Sequence, residues 1–412
     1  MANTFITGLD IGSSSLKAAV AEVKSDGKLS LVRLLKTPSG GMRKGTVDDL
    51  AEMTRSLNNI FTDIKQISRN ALKNLYVNVG GADVRVQSSR GIVAVSRADS
   101  EIYQDDVDRA RQASQAINLP PNRMVLHAIV REFIVDGVGD IRDPLGMVGN
   151  RLEVNSLIID AFSPAVKNVL KCVEMAGATV AGPIFTPLAD AESVLSKNQK
   201  ELGVALVDIG FGTTSMCVYE ENKLVHAAVF PIGSGNITND LAIGLKTSIE
   251  AAEVVKLTFG ATSLKGISGR DQIDLKKIDS HARANVSRRA VIDIIEVRLA
   301  EIFEMVNAEL KMINRAGKLP VGVVLVGGGV KLPGMVDFAK DELKLPAQIG
   351  ITDTSSLEIP SGEMSLQIED PEFVCAMGLL SKGRDREYGE EGVPAMNGAV
   401  GWAKRLLKDM LP

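Results

Sequence analysis

The segment Phe5-Ile6-Thr7-Gly8-Leu9-Asp10-Ile11-Gly12-Ser13-Ser14-Ser15-Leu16-Lys17 decides how the rest of this chain is read. An apolar run ends in Asp-x-Gly, a hydroxyl-rich turn follows, and a second apolar run starts at once. The design returns 198 residues later, where an apolar run from Gly203 ends in Asp208-Ile209-Gly210-Phe211-Gly212-Thr213-Thr214. Superposing the two aspartates keeps the following strands and turns in register. Residues 5–10, 16–23 and 29–37 form one expected β-meander, turned at Ser25-Asp26-Gly27. Residues 203–208, 214–219 and 223–230 form the other, turned at Glu221-Asn222. A repeat this distant is too long for a solenoid and predicts two related lobes.

Between the copies, Leu50, Met53, Leu57, Ile60 and Ile64 recur at helical spacing and predict a helix over 47–67, with others over 164–175 and 189–195. Residues 80–160 read as a small inserted unit. It has strands at 84–87, 92–95, 125–130 and 152–159 and a helix over 105–117 rich in early acids. After the second meander come a helix over 237–245, a mostly helical region to 313 and a strand over 321–326. Residues 381–398, with Gly, Pro and mixed charge, read as a flexible linker.

Composition narrows the function classes. The 412 residues are 45% hydrophobic and 24% charged, as in an ordinary globular protein. With 47 basic and 51 acidic side chains the net charge is −4, so no global attraction to phosphate backbones exists and nucleic acid is not an expected partner. Cys172, Cys217 and Cys375 are dispersed, supplying neither a disulfide framework nor a metal-binding pair. The first residues lack a basic segment followed by an apolar one, and no run reaches the ~20 apolar residues of a spanning helix. The body of the chain is therefore expected to be cytoplasmic and soluble.

Three glycine-bearing loops follow apolar strands. In the first, Gly12 permits a tight turn, Ser13, Ser14 and Ser15 offer hydroxyls and amides, and Lys17 can neutralise a β- or γ-phosphate. The second, from Asp208 to Thr214, repeats the design. The third is Gly327-Gly328-Gly329-Val330-Lys331-Leu332-Pro333-Gly334, with Pro333 where a helix can begin. One such loop is a weak signal; three in this order, two of them in duplicated frames, are a strong one. A lone aspartate at a strand end is usually a turn residue. Asp10 and Asp208 in symmetric copies better fit carboxylates that face one cleft and hold Mg²⁺ through its waters. Ser14-Ser15-Leu16-Lys17 enters a strand and lacks the partner motifs of penicillin-binding enzymes. No GxxxxGK[ST] occurs, and His127, His226 and His281 are scattered.

These loops and the duplicated meander resemble the superfamily of actin, sugar kinases and heat-shock ATPases. Within it the chain is similar to the FtsA family of bacterial division actins across essentially all of residues 1–380. The diagnostic part is the insert, with Val77-Asn78-Val79-Gly80-Gly81, Val125-Leu126-His127-Ala128-Ile129 and Asp143-Pro144-Leu145-Gly146-Met147-Val148-Gly149-Asn150-Arg151-Leu152. The resemblance implies an α/β, actin-like ATPase fold of two duplicated lobes. The first lobe would comprise 1–80 and 162–198, an FtsA-type inserted subdomain 81–161, and the second lobe 199–380 with an outer helical part at about 240–316. A linker over 381–398 and an amphipathic helix over 399–412 would follow.

Carried onto matching positions, the resemblance assigns ATP and Mg²⁺ as ligands. Asp10, Gly12, Ser13, Ser14, Ser15 and Lys17 would make the first phosphate loop, and Asp208, Gly210, Gly212, Thr213 and Thr214 the second. Gly233 would lie beside the nucleotide, Glu253 and Lys256 at ribose and base, and Gly328, Gly329 and Lys331 at the adenosine. From spacing alone, Glu253 and Lys256 read as an exposed helical ion pair. Related ATPases carry Glu or Gln at the start of the helix that here begins Thr186-Pro187-Leu188-Ala189-Asp190. With Asp208 and the displaced Asp190 as the candidate catalytic carboxylates, slow hydrolysis is expected, ATP serving mainly to close the cleft and license assembly. The implied partners are FtsZ through its C-terminal peptide, further copies of the chain, other division proteins and an anionic membrane. The implied place is the cytoplasmic face of the membrane at the division site. A PilM-like scaffold of a pilus or secretion machine shares the fold and is the alternative. A sugar kinase would need a substrate-loop aspartate, for which no candidate stands out.

The last residues bear on that choice. Trp402, Ala403, Leu406, Leu407, Met410 and Leu411 form one helical stripe, and Lys404, Arg405, Lys408 and Asp409 cover the other face. A lone tryptophan at the boundary of apolar and basic faces is the pattern of a helix lying in a membrane surface.

Overall fold

The computed structural model describes residues 4–266, 268, 271–280, 285–359 and 362–388. Strands β1 (Thr4–Ile11), β2 (Ser15–Val23) and β3 (Leu29–Pro38) pair antiparallel in that order. Helix α1 (Leu50–Ile67) starts where Asp49 accepts hydrogen bonds from the amides of Ala51 and Glu52. It turns Met53, Leu57, Ile60, Phe61 and Ile64 inward over β2 and β3, each contributing about 2 kcal/mol by leaving water. Strand β4 (Leu75–Val79) then lies parallel beside β1.

The chain next builds a separate sheet from β5 (Arg85–Ala94), β6 (Arg123–Val135), β7 (Val138–Ile141) and β8 (Arg151–Phe162), with α2 (Gln104–Gln115) packed on it. Its order is β5-β8-β6-β7, all antiparallel, and it has its own small core around Val107, Ala110, Phe133, Leu152 and Val154. Helix α3 (Ser163–Met175), β9 (Val180–Phe185) and α4 (Thr186–Val194) return to the first sheet, where β9 runs parallel to β4.

The second meander is β10 (Val204–Ile209), β11 (Thr214–Glu220) and β12 (Lys223–Phe230). Helices α5 (Ser234–Leu245), α6 (Ile249–Phe259) and α7 (Arg288–Met312) precede β13 (Gly322–Val326), α8 (Met335–Leu343) and β14 (Ala347–Ile349). The second sheet runs β12-β11-β10-β13-β14, an antiparallel meander continued by two parallel strands. The first runs β3-β2-β1-β4-β9 in the same pattern, extended at β3 by the short parallel β15 (Leu357–Glu358). The duplication seen in the two Asp-x-Gly segments is thus a duplication of sheets.

Helix α9 (Val374–Tyr388) crosses from the second lobe to pack on β1 and α4 of the first. The crossing is tight at Gly378, where a Cβ would stand 1.8 Å from the carbonyl oxygen of Ala189. One core therefore joins the first sheet, α4, α9 and one face of the second sheet, while another fills the space between the opposite face and α5, α7 and α8. No helix among the described residues is long and apolar enough to cross a membrane.

Three expectations need correction. The strands read at 84–87 and 92–95 are one strand, β5, whose polar middle is carried by pairing with β8. The hairpin β6–β7, turned at Asp136 (φ 46°) and Gly137 (φ 89°), is absent from the reading although Asp-Gly is a strong hairpin signal. The expected linker does not begin at Ser381, because α9 continues to Tyr388. The amphipathic segment, with Trp402, Lys404, Arg405, Leu406, Leu407, Lys408, Met410 and Leu411, lies outside the described residues, as do 389–398.

Candidate functional site

The ends of β1 and β10 open onto one cleft of about 420 Å³, with a glycine-bearing loop from each lobe at its floor. The loops touch. A Cβ on Gly212 would lie 2.6 Å from the Ser13 hydroxyl and 3.2 Å from the Lys44 amide, so only glycine admits this approach. In the first loop Asp10 is almost buried. Lys17 Nζ donates to its Oδ2 at 3.0 Å, Asn78 Nδ2 donates to its Oδ1 at 2.8 Å, and the Ile11 amide donates to Asn78 Oδ1 at 2.7 Å. Burial alone would lower the Lys17 pKa, but the Asp10 carboxylate beside it holds it above its ordinary value, so the ammonium stays charged.

The second loop is closed by the Gly210 amide donating to Thr213 O at 2.9 Å. Helix α5 begins against it, the amides of Ser234 and Gly235 donating to Gly210 O and Phe211 O, both at 2.8 Å. Gly210, Gly212 and Thr213 line the cleft; Gly233 backs the loop, and Thr214 is wholly buried as the first residue of β11. The third loop completes the wall. Gly327 adopts φ 89°, and a Cβ there would fall 2.0 Å from Asp208 Oδ1, so the strand end carrying Asp208 and the glycine loop interlock. Gly328 and Gly329 follow in the lining, and Lys331 Nζ donates to Asp370 Oδ2 at 2.8 Å and Glu372 Oε1 at 3.0 Å.

Glu253 and Lys256 also line the cleft, and Lys256 is not the exposed partner that spacing suggested. It is 4% exposed, pairs with Glu253 at 2.7 Å and donates to Thr238 Oγ1 at 2.8 Å. The Phe211 ring lies 5.5 Å from its ammonium. Burial lowers its pKa, and the hydrogen bond to Glu253 opposes that shift.

Asp190 sits inside the wall, 1% exposed, on the second turn of α4. Neither of its oxygens meets an N–H or O–H donor among the described residues, and the Thr186 and Ser215 hydroxyls of the same lining are likewise unpartnered. Burial, then Asp208, then Asp10, raise its pKa. Burial and Asp10 raise Asp208 to about 7. Burial and the same carboxylates raise the Cys375 thiol. Three carboxyl groups share one ammonium, so the floor is acid-rich, and with the unpartnered Thr186 and Ser215 hydroxyls it suits a hydrated cation.

Asn78 and Glu372 were missed by sequence reasoning. Asn78 was legible as the one polar side chain in the apolar run Leu75–Val79. Glu372 had no local signal, since it reaches the cleft through the segment leading into α9.

A family model described as "Cell division protein FtsA" matches residues 205–378, and one described as "SHS2 domain inserted in FTSA" matches residues 81–160. The cell division protein FtsA of Bacillus subtilis is 34% identical over 378 residues, 92% of this chain and 83% of its own length. That of Pseudomonas aeruginosa is 33% identical over 384 residues, 93% of this chain and 90% of its own. That of Escherichia coli is 29% identical over 412 residues, covering 97% and 96%. Among solved structures, the PilM-PilN type IV pilus biogenesis complex aligns with TM-score 0.65 at 20% identity over 92% of this chain and 98% of its own. MreB5 of Spiroplasma citri bound to ADP aligns with TM-score 0.52 at 14% identity over 94% and 99%. At such identities the two structures speak to fold alone.

Proposed function

The chain belongs to the FtsA family of cell division proteins and has the actin-like ATPase fold expected of it; on that premise we propose that it binds ATP, self-assembles and tethers FtsZ filaments to the cytoplasmic membrane. The observation that carries the nucleotide part is the contact of two phosphate-type loops, Ser13 against Gly212, beneath a third glycine loop. Backbone amides of both loops, with Ser13, Ser14, Ser15, Thr213 and Lys17, would hold the phosphates. Gly328, Gly329 and Lys331 would flank the adenosine, and Glu253 and Lys256 the ribose and base. Mg²⁺, when bound, supplies positive charge to the phosphates, with Asp10 and Asp208 as the residues that would hold it through its waters. Spanning both loops would hold the lobes closed.

Asp190 is poorly suited to activating water. It is almost wholly buried, and burial beside Asp208 and Asp10 disfavours the ionised form that a general base needs. Slow hydrolysis follows, and the nucleotide acts chiefly as a ligand of the closed, assembling state. The basic amphipathic segment at 399–412 would attach the assembly to anionic lipid. The proposed site of action is the cytoplasmic face of the membrane at the division site.

Sedimentation with anionic vesicles and FtsZ tests the whole reading. The full chain should carry FtsZ into the vesicle pellet with ATP, and a chain ending at Tyr388 should leave both in the supernatant. Equal FtsZ in both pellets would defeat the proposal.

A further inference from the structure

A charged row crosses the first sheet on its cleft side. Register sets Asp10 opposite Lys17 and Lys17 opposite Lys36, so side chains of β1, β2 and β3 stand side by side. Two lysines directly opposite repel, and the fold does not demand it. The matching row of the duplicated sheet is Asp208, Ser215 and Val229, with no cation at all. Lys17 is neutralised by Asp10. Lys36 is paired instead with Glu372, whose other carboxylate oxygen accepts from Lys331 at 3.0 Å.

This network spans the mouth of the cleft. Lys36 belongs to the first lobe, Lys331 to the glycine loop of the second, and Glu372 to the segment Pro371–Phe373 that enters α9. All three line the cleft. The Glu372 side chain is only 14% exposed while those of Lys36 and Lys331 are 48% and 45% exposed, so a shielded carboxylate is flanked by two cations that solvent can reach. Burial would raise the Glu372 pKa, but its hydrogen bonds to Lys36 and Lys331 hold it below the usual value, and it stays ionised.

We propose that Lys36 is a further polyphosphate-binding cation of the cleft, and that Glu372 occupies it and Lys331 in the ligand-free protein until a nucleoside di- or triphosphate displaces the carboxylate. The inference rests on the nucleotide reading of the cleft. A polyphosphate carries more charge and more acceptor oxygens than one carboxylate, so it wins the exchange, and the internal competitor weakens net affinity. Displacement also releases a side chain that ties both lobes to the entrance of α9.

Calorimetric titration of the full chain with ADP and with adenosine, in Mg²⁺, tests this on Lys36→Gln, Lys36→Arg, Glu372→Gln and the Lys36→Gln/Glu372→Gln double variant. Thermal unfolding without ligand checks that each is folded. Lys36→Gln should weaken ADP by about tenfold and leave adenosine unchanged, and Lys36→Arg should restore ADP binding. Glu372→Gln should tighten ADP several-fold, a gain that shrinks once Lys36 is also removed. If Glu372→Gln weakens ADP as Lys36→Gln does, the network is scaffolding and the proposal falls. Equal ADP affinities in all five proteins would overturn the exchange alone, whereas wild-type protein that binds neither ligand would overturn the nucleotide reading beneath it.

Discussion

Asp208 is where position turns directly into chemistry. It ends a buried strand, faces Asp10, and has its pKa raised by burial and that neighbour from 3.8 to about 7. A carboxyl with a raised folded-state pKa stabilises the fold fully below its unfolded pKa, and that share is lost as pH climbs through the folded value. The ligand-free protein should therefore lose stability between pH 4 and about 7, with Asp190 acting in the same direction. Asp208→Asn should flatten this dependence and raise Tm at pH 8 by about 2–5 °C, read by thermal unfolding without nucleotide. A Tm lowered at pH 8 would mean the ionised group is favourably held. Asp10 and Asp208 were legible in the sequence because each ends an apolar run in a duplicated frame. Lys36 was not, since only the pairing of β2 with β3 brings it beside Lys17.

At the scale of elements, α9 shows what local pattern omits. Lys382, Arg384 and Asp385, with Gly383 among them, read as linker composition, yet the helix runs to Tyr388. Its first half is anchored by Ala376, Leu379 and Leu380, all buried, and further on Lys382 pairs with Glu192 of α4 at 2.9 Å. Packing on β1 and α4 thus overrides weak local propensity. The same crossing sets a sharp constraint. Gly378→Ala drives a methyl into the Ala189 carbonyl, and backbone cannot rotate away as a side chain would. It should destabilise by about 3 kcal/mol, seen as a lower denaturation midpoint at unchanged slope. A cost near zero would show that α4 and α9 are not in the described contact. The meanders, by contrast, were fully legible, since their alternation and turns are local. The hairpin β6–β7 was legible in Asp136-Gly137 but hidden by the short run after it, Val138–Ile141, in which Gly and Asp interrupt the apolar pattern.

Across the whole molecule, one chain joins a duplicated cleft to a basic amphipathic segment at 399–412. Burying its five large apolar side chains yields at most ~10 kcal/mol. Ordering a dozen residues costs on the order of 1 kcal/mol each. One segment would therefore bind lipid weakly, and many on one filament would bind by avidity. Nucleotide-driven assembly and membrane attachment should reinforce each other. Trp402, the single tryptophan of the chain, reports on that coupling. Its emission should be followed while the full chain is titrated with anionic vesicles, with and without Mg²⁺ and ATP. The account predicts no change on adding ATP alone, a blue shift with vesicles, and a half-saturating lipid concentration severalfold lower when ATP is present. Emission already blue before lipid, or the same lipid midpoint in both titrations, would contradict it.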